Sequence, residues 1–129
     1  MQIRTVREFM DNNPVTVSSS QSIEKAAKIL IDYHLSAIPV VDEGKQIVGI
    51  LSEADCLRAT LLGGYHNESV AIVKDLMTAE PDTMSPDTEL SAATERFLNN
   101  RRRMIPIVEA GTLVGTLTRR DLLAAIAKR

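Results

Sequence analysis

Apolar side chains recur along this chain in two alternating periods. Ile23, Ala26, Ala27, Leu30 and Ile31 keep the i, i+3, i+4, i+7, i+8 spacing of a helix that buries one face. A short apolar run follows, Ala37-Ile38-Pro39-Val40-Val41, then an acidic residue and a glycine-bearing turn, then Ile47-Val48-Gly49-Ile50-Leu51. Two β-rich runs separated by such a turn predict a hairpin. A second helix is expected over Glu53–Leu62, and a short extended piece, Val15-Thr16-Val17, precedes the first.

The same order returns downstream. Asp82-Thr83-Met84 is the extended piece, and Leu90, Ala93, Thr94, Phe97 and Leu98 form the helical stripe. Met104-Ile105-Pro106-Ile107-Val108 and Leu113-Val114-Gly115-Thr116-Leu117 form the hairpin, and Arg119–Lys128 is the last helix. Shifted by 67 positions, Val6 falls on Val73, Met10 on Met77, Pro14 on Pro81, Thr16 on Thr83, Ala26 on Ala93 and Pro39 on Pro106. One residue is dropped in the second hairpin. Gly49 then falls on Gly115, Leu51 on Leu117, Asp55 on Asp121 and Leu57 on Leu123. The chain is thus read as repeat one over 6–62, a linker over 63–72 and repeat two over 73–129. The linker's Gly63-Gly64 and polar neighbours suit a connector. A single unit of this size buries too little surface to be secure. The predicted fold class is therefore α+β: two pseudo-symmetric β-α-β-β-α repeats packed sheet to sheet.

Composition narrows the function classes. With 15 basic and 17 acidic side chains the net charge is −2, which gives no bulk attraction to nucleic acid or acidic lipid. Four aromatics, Phe9, Tyr33, Tyr65 and Phe97, are too few for a stacking platform on single strands. Cys56 is the one cysteine, so no internal disulfide forms, and a reducing compartment fits. It is expected as a core residue rather than a nucleophile. No apolar run approaches the roughly 18 residues of a membrane span. The first residues, Met1-Gln2-Ile3-Arg4-Thr5-Val6, lack the apolar centre of a signal peptide. A cytoplasmic protein is expected, with neither nucleic acid nor membrane as partner. His34 and His66 stand apart from other metal-ligand types, so no metal is expected. No P-loop, dinucleotide fingerprint or Ser-His-Asp order occurs. Without a nucleophile–base pair, catalytic residues are expected to be absent.

Each hairpin runs into a segment that repeats: Gly49-Ile50-Leu51-Ser52-Glu53-Ala54-Asp55 and Gly115-Thr116-Leu117-Thr118-Arg119-Arg120-Asp121. A hydroxyl followed three residues later by an acid is the pattern of a helix capping box. A capping box prefers Glu or Gln at that place, whose longer arm reaches back; Asp stands there both times. Capping also does not require the glycine, which lets a ligand approach the strand backbone. The free N–H groups of a helix start favour phosphate, and a carboxylate one turn on can accept from both hydroxyls of a ribose.

With these segments, the Met10…Pro14-x-Thr16 and Met77…Pro81-x-Thr83 lead-ins and the Ile38-Pro39-Val40-Val41-Asp42 and Ile105-Pro106-Ile107-Val108-Glu109 strands, nearly the whole chain resembles a tandem pair of cystathionine β-synthase (CBS) domains. The resemblance implies paired repeats with two clefts between their sheets that hold AMP, ADP, ATP or S-adenosylmethionine, and association of two such modules into a homodimer. It implies adenine contacts from the lead-in and the Pro-bearing strand, and ribose and phosphate contacts from the glycine-hydroxyl-acid segment. Site one then combines Val15, Thr16, Ser36 and Ala37 with Gly115, Thr118, Arg120 and Asp121. Site two combines Asp82, Thr83, Arg103 and Met104 with Gly49, Ser52 and Asp55. Which repeat supplies which half stays open.

The copies differ in charge. Arg101-Arg102-Arg103 and Arg119-Arg120 stand where repeat one has His34-Leu35-Ser36 and Glu53-Ala54. Arg101 and Arg102 suit a helix C-terminus, whereas Arg119 and Arg120 oppose the dipole of a helix start unless an anion joins them. Arg103 and Arg120 are therefore the candidate phosphate ligands, and Glu53 is expected to repel phosphate at Ser52/Asp55. The expected function is a non-enzymatic regulatory module that senses an adenosine ligand, requires no cofactor, and acts in trans on an unknown protein partner. The alternative is a structural or dimerisation module with vestigial, unoccupied sites.

Overall fold

The computed structural model describes residues 3–61 and 71–127. Residues 63–70 of the expected linker, and Leu62 and Lys128 of the expected helices, lie outside the described residues. The chain divides into two compact units: Val15–Pro81, and Met1–Pro14 together with Asp82–Arg129. We call them the inner unit and the split unit.

In the inner unit, β1 (Val17–Ser18) leads to α1 (Ile23–Asp32) and the hairpin β2 (Ala37–Val41) and β3 (Ile47–Ser52). Then come α2 (Glu53–Arg58), a 3-10 turn at Ala59–Leu61, α3 (Val73–Leu76) and β4 (Thr78–Ala79). The sheet order is β1-β2-β3-β4, with β1 parallel to β2 and both other pairs antiparallel. Ser22 caps α1 by accepting from the Lys25 N–H at 3.1 Å. Ile23, Ala26 and Leu30 turn inward and pack with Val17, Ile38, Val40 and Leu51. Cys56 and Met77 pack partly buried against that cluster. The segment after residue 70 is tied back to the start of α1: Ile23 N–H donates to the Ala71 carbonyl, and Val73 N–H to that of Gln21.

The split unit repeats the plan. A 3-10 turn, Val6–Glu8, precedes α4 (Leu90–Asn100), β5 (Met104–Glu109), β6 (Thr112–Thr118) and α5 (Arg119–Ala127). Strands β5 and β6 pair antiparallel, flanked by single bridges, Met84 parallel to Ile107 and Asp11 antiparallel to Thr116. The core holds Val6, Met84, Ala93, Phe97, Ile105, Ile107 and Leu117, with Met10 packed against it. Both hairpins carry a register shift at the same place, Val40/Val41 and Ile107/Val108.

These elements give the expected strand-helix-strand-strand-helix order in mixed α+β form. Three details differ from the sequence pattern. Ile31 and Leu98, counted in the buried stripes, are 71% and 72% exposed, and Thr94 of the second stripe is exposed too, its hydroxyl donating to the Leu90 carbonyl. Ile31 follows Leu30 directly and Leu98 follows Phe97, so each points about 100° further round the helix, off the inward arc, where nothing in its own unit covers it. Asp82-Thr83-Met84 makes only the bridge at Met84, because the Thr83 carbonyl accepts from the Arg96 guanidinium at 2.7 Å instead of from a strand. Lastly, sequence repeat and compact unit have different boundaries. The fourth segment of the inner sheet is Thr78–Ala79, and the matching segment of the split unit starts at Asp11. Each lead-in therefore packs with the body of the other repeat.

The motif glycines permit this exchange. A Cβ on Gly49 would lie 2.5 Å from Met77 Sδ and 2.9 Å from the Thr78 carbonyl oxygen. One on Gly115 would lie 2.7 Å from the Asp11 carbonyl oxygen and 2.9 Å from Met10 Sδ. The chain itself, not a ligand, makes the close approach on that side, which corrects the reason given to these glycines from sequence. Gly115→Ala is expected to destabilise the fold by about 1–3 kcal/mol through overpacking, since a hydrogen-bonded backbone oxygen cannot yield as a side chain can. Chemical denaturation checks this, and an unchanged midpoint would contradict it.

Candidate functional site

In both units a strand enters a helix without an intervening loop, at Ser52/Glu53 and at Thr118/Arg119. Ser52 N–H donates to Asp55 Oδ2 at 2.8 Å, and Asp55 N–H donates to Ser52 Oγ at 3.1 Å. Thr118 N–H donates to Asp121 Oδ2 at 2.8 Å, and Asp121 N–H to Thr118 Oγ1 at 3.2 Å. Both capping boxes are closed. The expectation that Asp is too short an arm fails, because the abrupt strand-to-helix turn brings the N–H within reach of the shorter side chain.

Beyond this common frame the carboxylates differ. Asp55 is buried, and its second oxygen, Oδ1, is taken by Arg58 Nη1. Asp121 is half-buried and receives both the N–H and the hydroxyl of Thr118 on Oδ2, the latter at 3.0 Å. Its Oδ1 accepts no hydrogen bond from the described residues. The position matching Arg58 in the second repeat is Ala124. This pair went unnoticed in the sequence, although the repeat alignment sets it in plain view.

The neighbouring segments follow the hairpin register. Ala37 lies opposite Ser52, and the Ser36 carbonyl accepts from Glu53 N–H at 3.0 Å. Met104 lies opposite Thr118, with exposed Arg103 just before it. Ser36, Ala37, Ser52 and Asp55 thus gather at one hairpin end of the inner unit, and Arg103, Met104, Thr118 and Asp121 at that of the split unit. Val15 packs against the inner core, while Thr16 lines a cavity of about 450 Å³ with Ser18, Ser20, Gln21, Asp42 and Glu43. Arg119 and Arg120 are exposed at the start of α5 and make no ion pair with the described residues.

Part of the arginine excess has an internal partner. Asp82 pairs with Arg96 through Oδ1 and lies 3.6 Å from Arg102 Nε through Oδ2. That Oδ2 is buried without a hydrogen bond among the described residues. The matching positions in the first repeat are Val15, Ile29 and Leu35, which all pack against the inner core. An apolar trio in one repeat is an ionic trio in the other. Arg96 was missed in the sequence because its partner lies fourteen residues away, off the helix face.

The CBS domain family matches residues 6–62 and 73–128. The chain belongs to that family. A solved structure of CBSX2 in complex with AMP, a CBS-pair protein of Arabidopsis thaliana, is 30% identical and superposes with a TM-score of 0.86, over 96% of each chain. The CBS domain pair of protein MJ0100, in complex with 5′-methylthioadenosine and S-adenosyl-L-methionine, is 26% identical with a TM-score of 0.83, over 98% of each chain. The A-adding tRNA nucleotidyltransferase of Geobacter sulfurreducens is 31% identical over 121 residues, 94% of this chain but 13% of that protein's length.

Within these CBS repeats, among the described residues, no His, Cys, Asp or Glu cluster could hold a metal ion. No helix among them is long and apolar enough to cross a membrane. Burial pushes the Cys56 thiol up, and the charges of Asp55 and Glu53 add to this, so it is a poor nucleophile. Burial also holds the Asp121 carboxyl above its ordinary value of 3.8, against the two Thr118 hydrogen bonds, with the Asp11 charge reinforcing the rise.

Two outcomes are expected. A carboxyl raised in the folded state contributes stability that is complete below its unfolded pKa and lost as pH climbs through the folded one. Relative to Asp121→Asn, the wild-type chain should be most favoured at pH below 3.8 and lose ground as pH rises above it. Denaturation midpoints across that range test the sign, and an advantage growing with pH would refute it. Separately, Arg96→Ile should cost about 1–3 kcal/mol by leaving Asp82 without its main partner. Changing Asp82, Arg96 and Arg102 together to the Val, Ile and Leu of the first repeat should recover most of that loss. Thermal unfolding of the two variants compares them.

Proposed function

We propose that this CBS-domain pair is a regulatory module that binds an adenosine ligand, AMP, ADP, ATP or S-adenosylmethionine, and that it catalyses no reaction. The carrying observation is the Thr118–Asp121 turn: a half-buried carboxylate with Oδ1 unengaged among the described residues, beside two exposed arginines at a helix start. A carboxylate oxygen left open accepts ribose hydroxyls. The helix N–H groups and the Arg120 guanidinium take phosphate, which offsets the unfavourable placement of a cation at that helix end. The likeness to AMP-bound CBSX2 and to the MJ0100 pair with adenosine derivatives supports the ligand class.

Ligand and module exert an effect only through different affinity for two arrangements, which a protein partner reads in trans. Ile31, Leu57, Leu98 and Leu123 are large, exposed and at matched positions of both repeats. They support a homodimer. We place the protein in the cytoplasm, with neither nucleic acid nor membrane as partner. A second reading, a dimerisation module with vestigial sites, draws on the closed capping boxes and the engaged Asp55.

Titration calorimetry with AMP, ADP, ATP and S-adenosylmethionine separates the two. Binding of at least one is expected, and Asp121→Ala should weaken it by about tenfold or more, while Asp55→Ala changes it little. No heat and no thermal shift with any of the four at millimolar concentration would select the second reading. The reverse order of the two variants would overturn the choice of Asp121.

A further inference from the structure

We propose that Arg58 is an internal competitor that closes Asp55 to a ribose, so that the two repeats are unequal by construction; this rests on the reading that the motif carboxylates bind an adenosine ligand. The Asp55 side chain is 8% exposed, and each of its oxygens is engaged, Oδ2 by Ser52 N–H and Oδ1 by Arg58 Nη1. The Ser52 bond belongs to the helix cap and is matched at Thr118. The Arg58 bond has no counterpart, because Ala124 stands at the matching place.

A ribose that approaches Asp55 must displace a guanidinium held by a charge-assisted bond, which is stronger than the hydroxyl bond that replaces it. Asp121 imposes no such cost. Arg58 itself is 59% exposed and one turn along the same helix, so it covers the carboxylate from the solvent side and leaves it without dragging the backbone. Its guanidinium therefore sets which repeat is filled first. The difference amounts to tenfold or more in affinity, the size of one charged hydrogen bond lost.

The test is AMP titration of the full chain by calorimetry, read as affinity and as AMP bound per chain. The wild type is expected to bind one AMP. Arg58→Ala should bind a second, within about tenfold of the first. Asp55→Ala added to Arg58→Ala should remove the gained site and leave the first. Asp121→Ala should remove the first alone. If Arg58→Ala does not fold by circular dichroism, Arg58→Gln keeps a neutral donor and is expected to gain the second site more weakly. One AMP bound by both the wild type and a folded Arg58 variant overturns the proposal and spares the ligand-binding reading. So does weaker binding on loss of Arg58, which would make it a ligand contact. No AMP bound by the wild type or any variant overturns the proposal, and the ligand-binding reading falls with it only when ADP, ATP and S-adenosylmethionine also fail to bind.

Discussion

The rest of the structure hangs on one reciprocal pair of hydrogen bonds, made twice. A Ser or Thr at a strand end and an Asp three residues later satisfy each other's backbone N–H groups, at Ser52/Asp55 and at Thr118/Asp121. Strand and helix meet there with no loop to absorb error, so this bond pair fixes where each helix starts and how it leaves the sheet. It also fixes the register of the hairpin end, where Ala37 and Met104 stand opposite the capping residues. Removing it leaves helix N–H groups at the strand-to-helix junction without their partners.

The same bonds constrain what the site can do. A carboxylate spent on capping has one oxygen left. In the second repeat that oxygen accepts nothing from the described residues, and the carboxyl is held protonated to higher pH by burial and by Asp11. In the first repeat Arg58 occupies it. On the proposed reading, structural and ligand-facing roles coexist in one side chain, and the residue one turn along the helix, Arg58 or Ala124, decides whether the second role is open.

The two copies share one frame and differ in charge. The bulge, the glycines and the capping pairs recur in both copies, because each is set by backbone geometry that a substitution would break. The positions of Val15, Ile29 and Leu35 in the first repeat hold Asp82, Arg96 and Arg102 in the second. A partly buried carboxylate such as Asp82 is costly alone, whereas one accompanied by guanidinium partners is tolerated. Such a difference is legible only when the two copies are aligned and the three positions are known to touch.

The sequence by itself determined the duplication, the element order, the inward positions Ile23, Ala26, Leu30, Ala93 and Phe97 of the two long helices, and the residues of the repeated turn. These follow from periodicity and local chemistry, which act over a few residues. It misjudged the reach of Asp55 and Asp121 and the purpose of Gly49 and Gly115. Only the tertiary structure decided that each lead-in packs with the body of the other repeat, and that Met77 and Met10 fill the space beside those glycines. It alone disclosed that Arg58 and Arg96 are committed to carboxylates. Apart from Arg58, which stands three residues from Asp55 on one helix, those facts depend on segments brought together from distant parts of the chain, and on how far a turn lets a side chain reach, which spacing along a sequence does not encode.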